Sequence, residues 1–254
     1  MCSSGDYSPV KIARYSLNQT IDPWASDAHP DVQHGDLADV PEGARLLPPC
    51  VPSKIVCVGR NYAEHAKELG NEVPAEPTIF LKPQSSLLGS GGVIIYPRLT
   101  KRLDYEGELG VVIGRRARNV KSSDAAQYIL GYTCVNDVTA RDLQRSDGQW
   151  TRGKGFDTFC PVGPCIVPRD AVSLAALRVR TFVNGEKKQD APITEMIFSV
   201  DDIIAYVSAF MTLDPGDLIA TGTPSGVGPV LPGSRIRIEI DGIGVLENTV
   251  ALED

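Results

Sequence analysis

The chain has 254 residues, 42% hydrophobic and 22% charged, with a net charge of −7, which fits an ordinary globular protein with a sizeable core. That acidic balance argues against a nucleic-acid partner, which needs a basic patch, and no apolar run approaches the ~20 residues of a membrane helix. Met1-Cys2-Ser3-Ser4-Gly5-Asp6 lacks the basic and then apolar stretch of a signal peptide, so the expected location is cytoplasmic.

Residues 1–50 read as a small N-terminal segment. Lys11–Tyr15 predicts one strand, and Asp22–Gly43 is rich in Pro, Asp, Gly and His. The prolines of Leu46-Leu47-Pro48-Pro49-Cys50-Val51-Pro52 mark a linker. The main domain, 51–254, opens with a short buried strand, Ile55–Gly59. A helix follows over Tyr62–Gly70, with Gly70 suited to its C-terminal cap. Strands are then predicted over Thr78–Leu81, Gly92–Tyr96, Tyr105–Gly114, Gly131–Val138, Cys165–Val167, Leu177–Val183, Asp217–Thr221 and Arg235–Ile240. A second helix covers Ser199–Met211, with Ser199 as its N-cap and Asp201 and Asp202 in its first turn. The 24 glycines and 19 prolines supply turns for a mainly β roll or sandwich with few short helices.

Three carboxylates carry the chemical signal. Leu109, Val111 and Ile113 alternate in the strand after Tyr105, so Glu106 and Glu108 share the opposite face. Asp137 lies in a second strand-like run, Tyr132–Val138. If the two strands pair, the three acids meet, and a hard divalent cation such as Mg²⁺ or Mn²⁺ relieves their repulsion. A solvated acidic strand face is the alternative at this point. His65 and Glu68 stand three apart on one helix face, a spacing that lets the carboxylate orient the imidazole as a base. Gly153 and Gly155 flank Lys154 and give its backbone freedom to approach a ligand. Thr221-Gly222-Thr223-Pro224 is a turn whose N–H and hydroxyl donors suit carboxylate oxygens. The six cysteines form no C-x-x-C pair and the three histidines are scattered, so the cysteines read as small buried hydrophobes, not zinc ligands.

Taken together, Gly59-Arg60-Asn61-Tyr62-Ala63-Glu64-His65, Phe80-Leu81-Lys82-Pro83, Tyr105-Glu106-Gly107-Glu108-Leu109, Asn136–Gln144, the Lys154 stretch and Thr221–Pro224 resemble the fumarylacetoacetate hydrolase (FAH) family, in the right order across about Lys54–Val250. The resemblance implies a mixed β-roll/β-sandwich assembled as a homodimer. It places Mg²⁺ or Mn²⁺ on Glu106, Glu108 and Asp137, a catalytic pair on His65 and Glu68 in a lid segment, and an active-site lysine on Lys154. Substrate contacts fall on Arg141, Gln144 and Thr223. Gly155 stands where a serine is common in the family.

The likeness is strongest to the acylpyruvate hydrolase and oxaloacetate decarboxylase branch, which implies a small keto-acid substrate chelated by the metal and cleaved through an enolate. Diene-dioate isomerase, tautomerase and sugar-acid dehydratase activities use the same logic. A metal-binding β-domain without turnover is the non-enzymatic alternative.

Overall fold

The computed structural model describes residues 9–68, 70 and 73–254. Cys2, the leader reading at Met1–Asp6, and Leu69 within the expected Tyr62–Gly70 helix lie outside the described residues. Two kinds of strand build the fold. Ile55–Gly59, Gly107–Ile113 and Cys160–Pro168 are buried along nearly their whole length, as central strands covered on both faces must be. Arg178–Val183 and Arg235–Ile240 instead alternate buried with more exposed positions, the period-2 pattern of a sheet with one wet face.

The first kind forms a ten-stranded mixed sheet. Its main path runs Gln33–Asp36, Ile12–Ser16, Cys160–Pro168, Ile129–Asn136, Gly107–Ile113, Leu218–Ala220, Ile55–Gly59 and Thr78–Lys82. Arg45–Leu47 and Leu87–Leu88 pair alongside it. A five-stranded sheet orders Glu186–Pro192, Arg178–Val183, Arg235–Ile240, Gly244–Leu252 and Val93–Tyr96, and a small third sheet orders Thr139–Ala140, Leu103–Tyr105 and Gly228–Val230. One apolar core joins the two large sheets and the helix Val200–Phe210. Leu109, Val111 and Ile113 meet Val179, Ile238 and Leu246, and Ile203, Ile204 and Val207 close the helix side. At roughly 1.5–3 kcal/mol per buried aliphatic side chain, this layer outweighs any single turn in holding the sheets together.

The helix is capped as its sequence predicts: Ser199 Oγ accepts the Asp202 N–H at 3.2 Å. The predicted strand Tyr105–Gly114, in contrast, is broken at Glu106, with Leu103–Tyr105 in the small sheet and Gly107–Ile113 in the large one. Nor is the strand apolar on one face only. Val112 is as buried as Val111, because neighbouring layers cover both sides. The N-terminal segment adds strands to the main sheet, with Ile12 opposite Ile166.

Candidate active site

Glu106 occupies the junction between two sheets. Its N–H donates to Asn136 Oδ1 at 3.0 Å, and the Gly107 N–H donates to Gln189 Oε1 at 3.0 Å. Side chains thus satisfy the backbone where the strand changes sheets. Glu108 lies opposite Val135 of the neighbouring strand Ile129–Asn136. Asp137 follows that strand directly, its N–H donating to Glu106 O at 2.9 Å. This register brings the three acids to one point: an oxygen from each lies within 4.8 Å of the others, and all three residues are buried.

Three cations answer them. Lys154, 2% exposed, donates to Glu106 Oε2 at 2.8 Å and to Asp137 Oδ2. Lys82 donates to Asp137 Oδ1 at 2.6 Å and to Val138 O at 3.1 Å. Arg141 donates to Glu106 Oε1, to Asp104 Oδ2 at 2.8 Å and to Gln144 Oε1 at 2.6 Å. Burial pushes the Glu106 carboxyl up, but Lys154 and Arg141 outweigh it and hold the group far below the ordinary carboxylate range. Burial lowers Lys154, yet Asp137 and Glu106 prevail and its net shift is upward. Glu108 differs. Burial, then the charges of Asp137 and Glu106, holds its carboxyl well above the usual value. Glu108 Oε2 accepts the Gly222 N–H at 2.7 Å, and among the described residues Oε1 has no hydrogen-bond partner.

An oxygen-only donor set of this kind suits Mg²⁺ or Mn²⁺. Glu106, Glu108 and Asp137 would hold the ion, and the observation that fits it is three buried carboxylate oxygens within 4.8 Å of one another, with Glu108 Oε1 left without a hydrogen-bond partner among the described residues.

These acids line the inner end of a cavity of about 360 Å³, together with His65, Arg141, Gln144, Lys154 and Thr223. Of the nine residues given a metal, catalytic or substrate role from the sequence, Glu68 is the one not in the wall. It stands behind His65, whose Nδ1 is 3.2 Å from Glu68 Oε2. His65 is 4% exposed and sits on the short helix Ala63–Glu68. Both Glu68 oxygens also accept the Gly226 N–H, at 3.1 and 3.2 Å, which ties this helix to the loop beyond Thr223. The Thr223 hydroxyl donates to Gly107 O at 2.8 Å and accepts from Gln189 Nε2 at 2.7 Å.

Two local readings of the sequence are corrected. Lys154 ends the one-turn helix Thr151–Lys154, and neither flanking glycine has positive φ. The glycines are needed for space. A Cβ on Gly153 would lie 2.8 Å from the Gln144 backbone, and one on Gly155 would lie 2.6 Å from Thr151 O. Likewise the Gly222 N–H binds the protein's own Glu108 carboxylate, so it is not a free donor for a substrate. Sequence reasoning assigned no role to Lys82, Asp104, Gln189, Arg60 or Trp150. Lys82 carries a visible signal, a lysine closing the apolar strand Thr78–Lys82, whereas Gln189 sits in a polar strand with no pattern to mark it.

The sequence pattern of the Fumarylacetoacetate (FAA) hydrolase C-terminal family matches residues 54–251. The chain belongs to this family. A 2-hydroxyhepta-2,4-diene-1,7-dioate isomerase from Mycobacterium marinum is 49% identical, with a TM-score of 0.78 over 87% of this chain and 81% of its own. The fumarylpyruvate hydrolase of Pseudomonas aeruginosa, solved with Mn²⁺ and pyruvate, is 36% identical, with a TM-score of 0.76 over 82% of this chain and 92% of its own. The mitochondrial oxaloacetate tautomerase of Homo sapiens is 44% identical over 215 residues, 81% of this chain and 68% of the human protein. The mainly β architecture of this FAH family member agrees with these neighbours. Among the described residues no helix is long and apolar enough to cross a membrane.

Proposed function

We propose that this FAH family member is a metal-dependent enzyme acting on small 2-keto acids through their enolate, breaking the C3–C4 bond of an acylpyruvate or of oxaloacetate. The observation that carries the reading is the convergence of three buried carboxylates with Lys154 and His65 in one cavity. Glu106, Glu108 and Asp137 would hold Mg²⁺ or Mn²⁺, which would supply Lewis acidity to stabilise the substrate's enolate.

The chain's own groups supply the rest. His65, oriented by Glu68, takes a proton from the water that attacks a C4 ketone, so acetylpyruvate and water give acetate and pyruvate. Lys154 holds Glu106 and Asp137 in place and keeps a positive charge beside the reacting end. Arg141 has its nitrogens engaged by Asp104, Glu106 and Gln144. Gln144 accepts from Arg141 through Oε1, which turns its amide N–H₂ toward a substrate oxygen. Thr223 also lines the cavity.

Tautomerisation or double-bond isomerisation is a second reading, favoured by the 44% and 49% identical relatives named for those activities. It needs the same enolate and differs in where the proton returns. Metal-loaded protein given acetylpyruvate and oxaloacetate separately decides between them. Release of acetate or CO₂ supports cleavage, and decay of enol-oxaloacetate without CO₂ release supports tautomerisation. Absence of any metal-dependent change in either acid overturns both.

A further inference from the structure

Gly107 separates two of the three clustered carboxylates, and side chains hold its backbone on both sides. Its N–H donates to Gln189 Oε1 at 3.0 Å, and its carbonyl accepts the Thr223 hydroxyl at 2.8 Å. Gln189 Nε2 donates in turn to Thr223 Oγ1 at 2.7 Å, so the three residues close a ring of hydrogen bonds. The other Nε2 hydrogen goes to Pro224 O at 2.8 Å. The contacts fix the orientation of the amide, because the Gly107 N–H needs an acceptor and Pro224 O needs a donor.

A bulge in the edge strand Glu186–Pro192 delivers Gln189 to this position. Thr181 of the neighbouring strand pairs with Gln189, but Phe182 pairs with Lys187, so Lys188 is an extra residue. A bulge re-aims the side chains beside it. Glu186, Lys187 and Lys188 are exposed, whereas Gln189 is only 1% exposed. The same bulge seats the loop beyond Thr223. Gly226, at a φ of 96°, packs so closely that a Cβ there would lie 2.0 Å from Lys188 O. Gly107 has no room for a side chain either, since its Cβ would lie 2.1 Å from Thr181 Oγ1.

Gln189 thus acts on the carboxylates through the backbone. Glu106 and Glu108 are each one peptide away from Gly107, so fixing Gly107 fixes how the two side chains leave the strand. The loop acts on Glu108 a second time: Gly222, adjoining Thr223, donates its N–H to Glu108 Oε2 at 2.7 Å.

We propose that Gln189 is a positioning residue for the metal centre, holding Glu106 and Glu108 at the spacing of a small ion so that the site selects Mg²⁺ over Ca²⁺. This rests on the reading of Glu106, Glu108 and Asp137 as the ligands. Mg²⁺ demands near-octahedral oxygens at about 2.0–2.1 Å, whereas Ca²⁺ accepts about 2.3–2.6 Å in flexible geometry. Loosening two of three ligands therefore penalises Mg²⁺ more.

The test is calorimetric titration of the metal-free full chain with Mg²⁺ and, separately, with Ca²⁺, without substrate. The wild type should bind Mg²⁺ more tightly. Gln189→Met keeps the length of the side chain and removes its three hydrogen bonds. Mg²⁺ affinity should fall by at least about tenfold, the effect of losing an outer partner of a ligand, and Ca²⁺ affinity by about threefold or less. Thr223→Val breaks the ring at its other member and should narrow the preference in the same direction, even if Gln189→Met does not fold. Thr223→Ser keeps the hydroxyl and should retain the wild-type preference. Thr181→Val alters the same face of Gly107 but removes a buried hydroxyl that has no hydrogen-bond partner among the described residues, so both affinities should stay unchanged. Equal affinity of the wild type for the two ions overturns the selection. An unchanged ion preference in Gln189→Met and Thr223→Val, even with a lowered Tm, overturns the positioning role and leaves Gln189 a support of the fold alone. Absence of Mg²⁺ binding by the wild type overturns it together with the metal reading. The expected shifts in a protein that turns over no keto acid sustain the positioning role while the enzymatic reading fails.

Discussion

The Lys154 ammonium lies 2.8 Å from Glu106 Oε2, a fully buried ion pair that Asp137 shares from the other side. Lys154 thus bridges the two carboxylates, with Arg141 also on Glu106 and Lys82 also on Asp137. Lys154→Met should destabilise the fold by about 1–3 kcal/mol, the usual cost of lost charge-assisted hydrogen bonds, because Glu106 keeps Arg141 and Asp137 keeps Lys82. It should lower kcat/KM by ~10²-fold or more, since a preorganised cation next to the developing charge is lost. Mg²⁺ should raise the Tm of this variant more than that of the wild type, because the ion replaces the missing neutralisation. Thermal melts with and without Mg²⁺ measure this, and an equal Tm gain in the two proteins would place the lysine outside the charge balance.

Glu108 makes metal binding pH-dependent. Burial, then the charges of Asp137 and Glu106, raises its carboxyl well above the ordinary carboxylate value, and ligation requires the ionised form. Mg²⁺ should therefore release about one proton on binding, and its affinity should rise with pH through the range where Glu108 ionises. In the metal-free chain the same group contributes stability that is lost as pH rises, since the folded state then holds a proton that the unfolded state has released. Calorimetry in two buffers of different ionisation enthalpy counts the protons. A count of zero would show that Glu108 is already ionised.

The cluster was legible because two independent signals coincide, the Glu106/Glu108 alternation and an aspartate ending a second apolar run. What supports it was not, since sheets are built from non-local pairings. Lys82 reaches Asp137 across 55 residues, and no local pattern encodes that contact. Glu186–Pro192 reads Glu-Lys-Lys-Gln-Asp-Ala-Pro, with no apolar alternation, and is a strand because Arg178–Val183 pairs with it. The helix Arg141–Asp147 has one large apolar residue, Leu143, so its amphipathic face is polar and turned to the cavity. The break at Glu106 was invisible for a related reason: it depends on Asn136 and Gln189, from two distant segments.

The thiols give a second pH dependence, remote from the chemistry. Cys50 and Cys160 are pushed up to about 12 and Cys165 to about 11, in each case mainly by burial, and Cys57 and Cys134 shift the same way. All five are free and buried. At pH 8 none should react with iodoacetamide in the native protein, because the thiolate is the nucleophile. All five should react after denaturation, as peptide mapping by mass spectrometry would show. Stability should fall as pH rises past the ordinary thiol value of 9.0, since the unfolded chain releases protons there that the folded chain retains. Rapid native labelling of Cys57 or Cys134 would contradict their burial.

His65 separates the reactions available to one cavity. It is buried, faces the cavity and is hydrogen-bonded at Nδ1 to Glu68, which in turn is anchored by the Gly226 N–H. Hydrolysis of an acylpyruvate needs an activated water, whereas loss of CO₂ from oxaloacetate does not. His65→Ala should therefore reduce acetylpyruvate cleavage by the ~10²–10⁴-fold typical of general base catalysis. Oxaloacetate decarboxylation should fall much less, because the groups around Glu106 and Asp137 remain. Glu68→Gln should follow His65→Ala in direction with a smaller loss, since an amide still accepts a hydrogen bond from the imidazole but no longer supports its cation. The measurement is kcat/KM for both acids in the three proteins. If both activities fell in parallel, His65 would act by closing the cavity over bound substrate, and the anchoring of Glu68 to Gly226 would be its structural basis.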